Sequence, residues 1–413
     1  DVRNGQAMSS GDDQAGALTG VRVLDLSRVL SGPFATMTLA DLGADVIKIE
    51  SPDAGDDTRA WGPPFQGDQS AYFLSVNRNK RSVALDLKSP EGRAAARALA
   101  DQADVIVENF RPGTAARLGL GYDEISQSNP GIVYASISGY GQTGPDAHRA
   151  GYDAIAQGRS GLMSVTGQPD GDPVRVGISP ADLTAGMWAL VGTLAALYRR
   201  QQTGIGQWVD ISLLDGQVSW LTYVAGGYFA TGKVPRRHGS AHPTIAPYQG
   251  FPTADGNLML AVGNENLWRR FVHAAGLDHL ADDPRFALNA DRVQNRDELV
   301  ILLNDRLTTR PTAEWVALFD DAGVPVGPIS TIDEVMVDPQ ILARDMILEV
   351  EHPTAGAVKM LGCPIRMSGN PVSLRLPPPL LGEHTDQVLA GITASAMTWP
   401  ERVLVAPGAG SGP

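Results

Sequence analysis

Residues 21–50, VRVLDLSRVLSGPFATMTLADLGADVIKIE, decide the fold. The first run, Val21 to Leu26, is short, apolar and β-branched, and Ser27 and Arg28 end it, so it reads as a buried strand. The next segment reads as a helix. Pro33 suits a first helical turn, Phe34, Met37, Leu39 and Leu42 form an apolar face, and Gly43 fits the left-handed stop. A second strand, Ala44 to Glu50, follows. The first turn lacks a glycine fingerprint, which predicts a nucleotide-fold enzyme other than an ordinary dehydrogenase.

The pattern repeats outward. An alanine-rich helix opening at Ser89-Pro90-Glu91 leads to the strand ADVIVENF, Ala103 to Phe110. GIVYASIS from Gly131, an apolar helix over about Asp182 to Arg200 and the strand QWVDISL carry the rhythm to about residue 220. Strand, helix, strand spacing of this kind predicts an α/β fold with a parallel sheet covered by helices. The rhythm then changes, so residues 228–330 are expected to form a smaller domain. The chain after it is expected to return, giving a large domain of 19–227 and 331–400 with flexible tails at 1–18 and 401–413.

Composition narrows the function. A net charge of −13 argues against a general nucleic-acid binder. The one cysteine, Cys363, cannot form an internal disulfide, no Cys/His set has zinc spacing, and a reducing cytoplasm fits best. The most apolar helical stretch, Gly186 to Tyr198, is about 13 residues against the roughly 20 a bilayer needs, so it is expected to be a core helix. No membrane partner and no metal are expected.

Several motifs compete for chemistry. Gly139 to Gly144 has GxGxxG spacing, but Pro145 follows at once and no helix starts there, so a glycine-rich loop is the better reading. Ser179-Pro180-Ala181-Asp182 reads as a well-capped helix start, and Asp182 there would present a carboxylate where the dipole favours charge. Gly151-Tyr152-Asp153 opens another such stretch, and local spacing favours neither aspartate. HExxH and GxSxG are absent, and the pairs Arg199-Arg200 and Arg236-Arg237 read first as solvated.

Taken together, the 18–50 stretch, NRNKRSVALDLKSPEGR, ADVIVENFRPG, SISGYGQTGP, GYDAIAQ, TGIGQWVDISLLD and LLGEHTD resemble the family III coenzyme A transferases, over about Leu18 to Leu389. That family includes formyl-CoA transferase, carnitine CoA-transferase and the related α-methylacyl-CoA racemases. The resemblance implies a Rossmann-like large domain built from both chain ends, a smaller inserted α+β domain, and an interlocked homodimer. It implies acyl-CoA and carboxylic acid substrates, succinyl-CoA being one candidate donor, and coenzyme A as substrate with no tightly bound cofactor.

It also assigns residues. Asp182 matches the transferase nucleophile. Arg28, Val29, Leu30 and Ser31 are implied to line the coenzyme A cleft with Asn109, Phe110, Arg117, Leu118 and Tyr140, with Arg117 as phosphate partner. Gly139, Gly141, Tyr152 and Asp153 are the substrate or oxyanion candidates. Racemases carry a histidine where this chain has Tyr152, and a phenol of ordinary pKa about 10 exchanges protons poorly at neutral pH, so the alternative of a racemase is disfavoured. A catalytically inactive coenzyme A-binding protein is the other alternative, against which Asp182 stands. Leu30 replaces the glutamine of formyl-CoA transferase and the tetraglycine loop is missing, so formyl-CoA and oxalate are not expected substrates.

Overall fold

A computed structural model describes residues 16–393. The tail expected at 1–18 is described only from Gly16, and that at 401–413 lies outside the described residues. Six parallel strands form the central sheet: β1 (Arg22–Asp25), β2 (Asp45–Glu50), β3 (Lys80–Ala84), β4 (Val105–Glu108), β5 (Val133–Ser138) and β6 (Gln207–Ser212). Their order is β3-β2-β1-β4-β5-β6, which reverses direction between β1 and β4. In a doubly wound sheet, such a reversal opens a crevice at the carboxyl ends of the strands.

Alternation along each strand supplies two cores. Val23, Val46, Val105 and Val133 face one cluster, and their successors Leu24, Ile47, Ile106 and Tyr134 face the other. Helix α1 (Ser31–Asp41) and helix α4 (Pro180–Thr203) cover the first face; α2 (Pro90–Gln102) and the carboxyl-terminal Val388 cover the second. α1 is enclosed nearly all round, with only Phe34 of its eleven residues not buried, so the one-sided apolar face expected of it is absent. The cause is its place between the sheet and α4. A Cβ on Gly186 of α4 would stand 2.6 Å from the Ser31 carbonyl, so glycine is what lets the two helices close. At 24 residues α4 is also longer than the 13-residue apolar run, long enough by length and composition to cross a bilayer. Ten of its residues are nevertheless buried within the protein.

The chain divides into two compact units, one of Ile178–Trp220 with the described parts of Asp1–Ser160 and Asp345–Pro413, the other of Gly161–Gly177 and Leu221–Arg344. The second unit begins before and ends after the expected 228–330 span. Its antiparallel sheet (Tyr248–Pro252, Asn257–Ala261, Val326–Pro328) backs onto Trp268, Phe271, Trp315 and Phe319.

Within the first unit, three carboxylates and three cations are taken out of water around the ends of β1 to β3. Lys80 Nζ lies 3.1 Å from Asp25 Oδ2, Lys48 Nζ 2.8 Å from Asp56 Oδ2, and all four side chains are fully buried. Arg59 grips Glu50 with two bonds of 2.7 Å. Burial alone would raise the Asp25 carboxyl, but Lys80, Lys48 and the Ser27 and Thr36 hydroxyls outweigh it and hold the pKa at about 2. Removing one member leaves a buried charge unpaired. Asp25→Asn should therefore lose about 3–5 kcal/mol of stability, read as a lower denaturation midpoint at unchanged slope; a loss under about 1 kcal/mol, the scale of an exposed pair, would contradict this.

Candidate active site

The turn after β1 contains a strained point. Val29 has a φ of +70°, a left-handed conformation that a β-branched residue rarely adopts. Side chains hold it there. Asn109, just after β4, accepts from the Arg28 amide at 2.8 Å and donates to the Arg28 carbonyl at 2.6 Å. Asp56 accepts the Val29 amide at 3.2 Å, Lys48 donates to the Ser27 carbonyl at 2.8 Å, and Lys80 donates to the Pro33 carbonyl at 3.0 Å. The buried charges thus fix both ends of the turn that leads into α1.

This turn forms one side of a cavity of about 170 Å³ at the carboxyl ends of β1, β4 and β5, beside the reversal of strand order. Arg28, Val29, Ser31, Asn109, Phe110, Gly139, Tyr152 and Asp182 all line it, so eight of the predicted positions come together. A second cavity, of about 320 Å³, shares Arg28 and Phe110 with the first and adds Leu118. Leu30, Arg117, Tyr140, Gly141 and Asp153 line neither. Leu30 is the residue before α1, Arg117 is exposed and donates to Thr114 Oγ1 at 2.8 Å, and the Tyr140 ring lies under Arg159 at 4.7 Å.

Asp182 stands in the first turn of α4, and what caps that helix differs from the sequence reading. Ser179 makes no side-chain capping bond. Asp153, from the start of helix α3 (Asp153–Arg159), supplies it instead: Oδ1 accepts the Ala181 amide at 2.8 Å and Oδ2 accepts Gln157 Nε2 at 2.6 Å. The two aspartates therefore have different surroundings, Asp153 being hydrogen-bonded through both oxygens while Asp182 faces the cavity. Burial, then the negative charge of Asp153, pushes the Asp182 carboxyl up to about 7, against the pull of the helix dipole. Near neutrality it is both substantially ionised and unusually basic, the state wanted of a carboxylate nucleophile or base.

The glycine loop is occupied with its own geometry. A Cβ on Gly139 would come 2.6 Å from the Gly151 Cα, so the two glycines allow β5 and the approach to α3 to touch. The Gly141 amide bonds Ser138 Oγ at 2.9 Å and the Gln142 amide bonds Asp210 at 3.0 Å. Neither amide is spare for an oxyanion.

Sequence reasoning missed Tyr72. Its phenol is pushed up to about 12 by burial and by the charges of Asp182, Asp153 and Asp56, which keeps it protonated. Its ring meets Trp61 edge-on with centroids 5.2 Å apart. Asp56 and Arg149, which lines the first cavity, were missed too. None carries a local spacing signal; the fold alone collects them.

The raised Asp182 pKa sets a sign. A carboxyl whose folded pKa exceeds its ordinary 3.8 favours the fold while protonated, and this contribution is lost as pH rises from 3.8 through about 7. Asp182→Asn should gain stability over the parent as pH is raised from 4 to 8 in urea titrations; a difference that does not change with pH would contradict the assignment.

The profile of CoA-transferase family III matches residues 18–385 of this chain. The succinyl-CoA:glutarate CoA-transferase of Mus musculus is 48% identical over 377 residues, covering 91% of this chain and 86% of its own. A succinate–glutarate CoA-transferase of Agrobacterium fabrum is 44% identical over 379 residues, covering 90% and 95%. A crystal structure of a CAIB/BAIF family protein from Brucella suis superimposes with a TM-score of 0.82 at 41% identity, covering 92% of this chain and all of that one. With this profile spanning the chain and relatives of this identity, the protein belongs to CoA-transferase family III and is a CoA-transferase.

Proposed function

We propose that this enzyme moves coenzyme A from an acyl-CoA donor to a carboxylic acid through covalent intermediates on Asp182. One observation carries the reading: a buried, basic carboxylate on a small cavity that shares Arg28 and Phe110 with a larger one. In this reading Asp182 attacks the donor thioester carbonyl and expels the thiolate, leaving an acyl-aspartyl anhydride. The bound thiolate then attacks the aspartyl carbonyl, releasing the donor acid and forming an aspartyl-CoA thioester. The acceptor carboxylate opens that thioester to a second anhydride, and the thiolate returns to the new acyl group, freeing Asp182. Each step exchanges one acyl bond for another, so the thioester's energy is retained.

The larger cavity suits the nucleotide end of coenzyme A, with Leu26, Ile49, Leu85 and Leu118 as apolar walls and Arg28 and Lys88 as cations. Arg117, exposed beside Thr114, is within the same segment and serves as a phosphate contact. The names of the relatives support succinyl-CoA as donor. Among the described residues no histidine lines the Asp182 cavity, and Tyr152 is 67% exposed, which supports transfer over racemisation. Cys363 is buried and unpaired, in keeping with a reducing cytoplasm.

An interlocked homodimer belongs to the same proposal. Met187, Trp188, Val191 and Tyr198 expose one apolar face of α4, and Trp208 and Trp220 are exposed as well. A second copy of the chain would cover them. Sedimentation should give a species of twice 43.7 kDa; a monomer at micromolar concentration would contradict the dimer.

Asp182→Ala should lower turnover with succinyl-CoA and glutarate by on the order of 10³-fold or more while leaving coenzyme A affinity, measured by calorimetry, within a few-fold. Turnover near the parent's would show that another group is the nucleophile.

A further inference from the structure

The small cavity is lined by arginines to which the covalent chemistry above gives no role. Arg28 is shared with the larger cavity and so belongs to the coenzyme A side. Arg111 and Arg149 line the small cavity that Asp182 occupies and not the larger one, and of the two Arg149 is the one whose run leads into the cap of the Asp182 helix. It lies in the Arg149–Tyr152 run that ends at Asp153, whose carboxylate caps the Asp182 helix, so its backbone is tied to the nucleophile's. Its side chain is 57% exposed and, among the described residues, is bonded only to Asp146, through Nη1 at 3.1 Å. Asp146 does not depend on it: Arg159 reaches the other carboxylate oxygen at 2.8 Å, and Arg159 itself lies over the Tyr140 ring.

We propose that Arg149 is a specificity residue of this site and that the acids it selects are short dicarboxylates, one carboxylate reacting at Asp182 while the guanidinium takes the other. The proposal rests on the transfer reading above. Three features favour it. A guanidinium bound through a single N–H keeps its remaining donors for a bidentate carboxylate. Asp146 keeps Arg159 as partner when Arg149 turns to a ligand, so no buried charge is stranded. The cavity, at about 170 Å³, is well below the roughly 300–1,000 Å³ of a drug-sized site and admits a small acid.

The test compares glutarate with valerate, which has the same chain length and lacks the distal carboxylate. The parent should prefer glutarate, and Arg149→Gln should reduce the ratio of the two kcat/KM values by about ten- to a hundredfold, with Arg149→Lys between. A parent without that preference, or an Arg149→Gln variant that retains it or loses both acids equally, would overturn the proposal. Hydroxylamine trapping on Asp182 without acceptor separates the two readings: Arg149→Gln should trap succinyl-CoA more slowly than the parent and acetyl-CoA at the parent's rate. Equal slowing with both donors would make Arg149 structural and overturn the specificity role, whereas a parent that forms no adduct with either donor would overturn the transfer reading itself.

Discussion

Everything at this site hangs on a set of charges buried beneath it. Asp25, Glu50 and Asp56 are matched by Lys48, Lys80 and Arg59, and the set is bonded to the backbone at Ser27, Val29 and Pro33. Six ionised groups out of water are an unfavourable choice for stability alone, since apolar residues of the same volume would serve as well or better. What they supply is geometry. With Asn109 bracing Arg28 from β4, they force Val29 into a conformation its side chain disfavours and so direct the turn between β1 and α1 into the crevice. In dinucleotide-binding folds glycines give that turn its freedom; here a rigid polar cradle replaces them.

A second constraint sets the chemistry. Burial makes Asp182 basic, and Asp153, which caps the helix that carries it, adds its own charge, so one side chain both orients the neighbouring carboxylate and raises its basicity further. The two carboxylates sit in different surroundings. That division follows from hydrogen bonding: both Asp153 oxygens are engaged, whereas Asp182 is buried facing the cavity.

Much of the parallel sheet was legible in the sequence because buried strands in α/β folds are short, apolar and β-branched, as Val21 to Leu26, Ala44 to Glu50 and Ala103 to Phe110 are. The burial of α1 was not, since whether Thr36, Thr38 and Ala40 face water depends on a helix 150 residues further along the chain. Spacing alone left Asp153 and Asp182 equivalent; the resemblance favoured Asp182, and the cap explains their difference. Ser179 reads as the cap by every local rule and loses to a carboxylate 28 residues distant from the amide it binds. Tyr72, Asp56 and Arg149 share no local pattern, because sites at a strand-order reversal are gathered from several loops.

The covalent role of Asp182 is most directly tested by incubating the enzyme with succinyl-CoA, quenching with hydroxylamine and mapping the peptides by mass spectrometry, with parallel reactions in D2O. The account predicts a hydroxamate at Asp182 and no α-deuterium in recovered acyl-CoA. A hydroxamate at another residue, or α-exchange without any adduct, would contradict it.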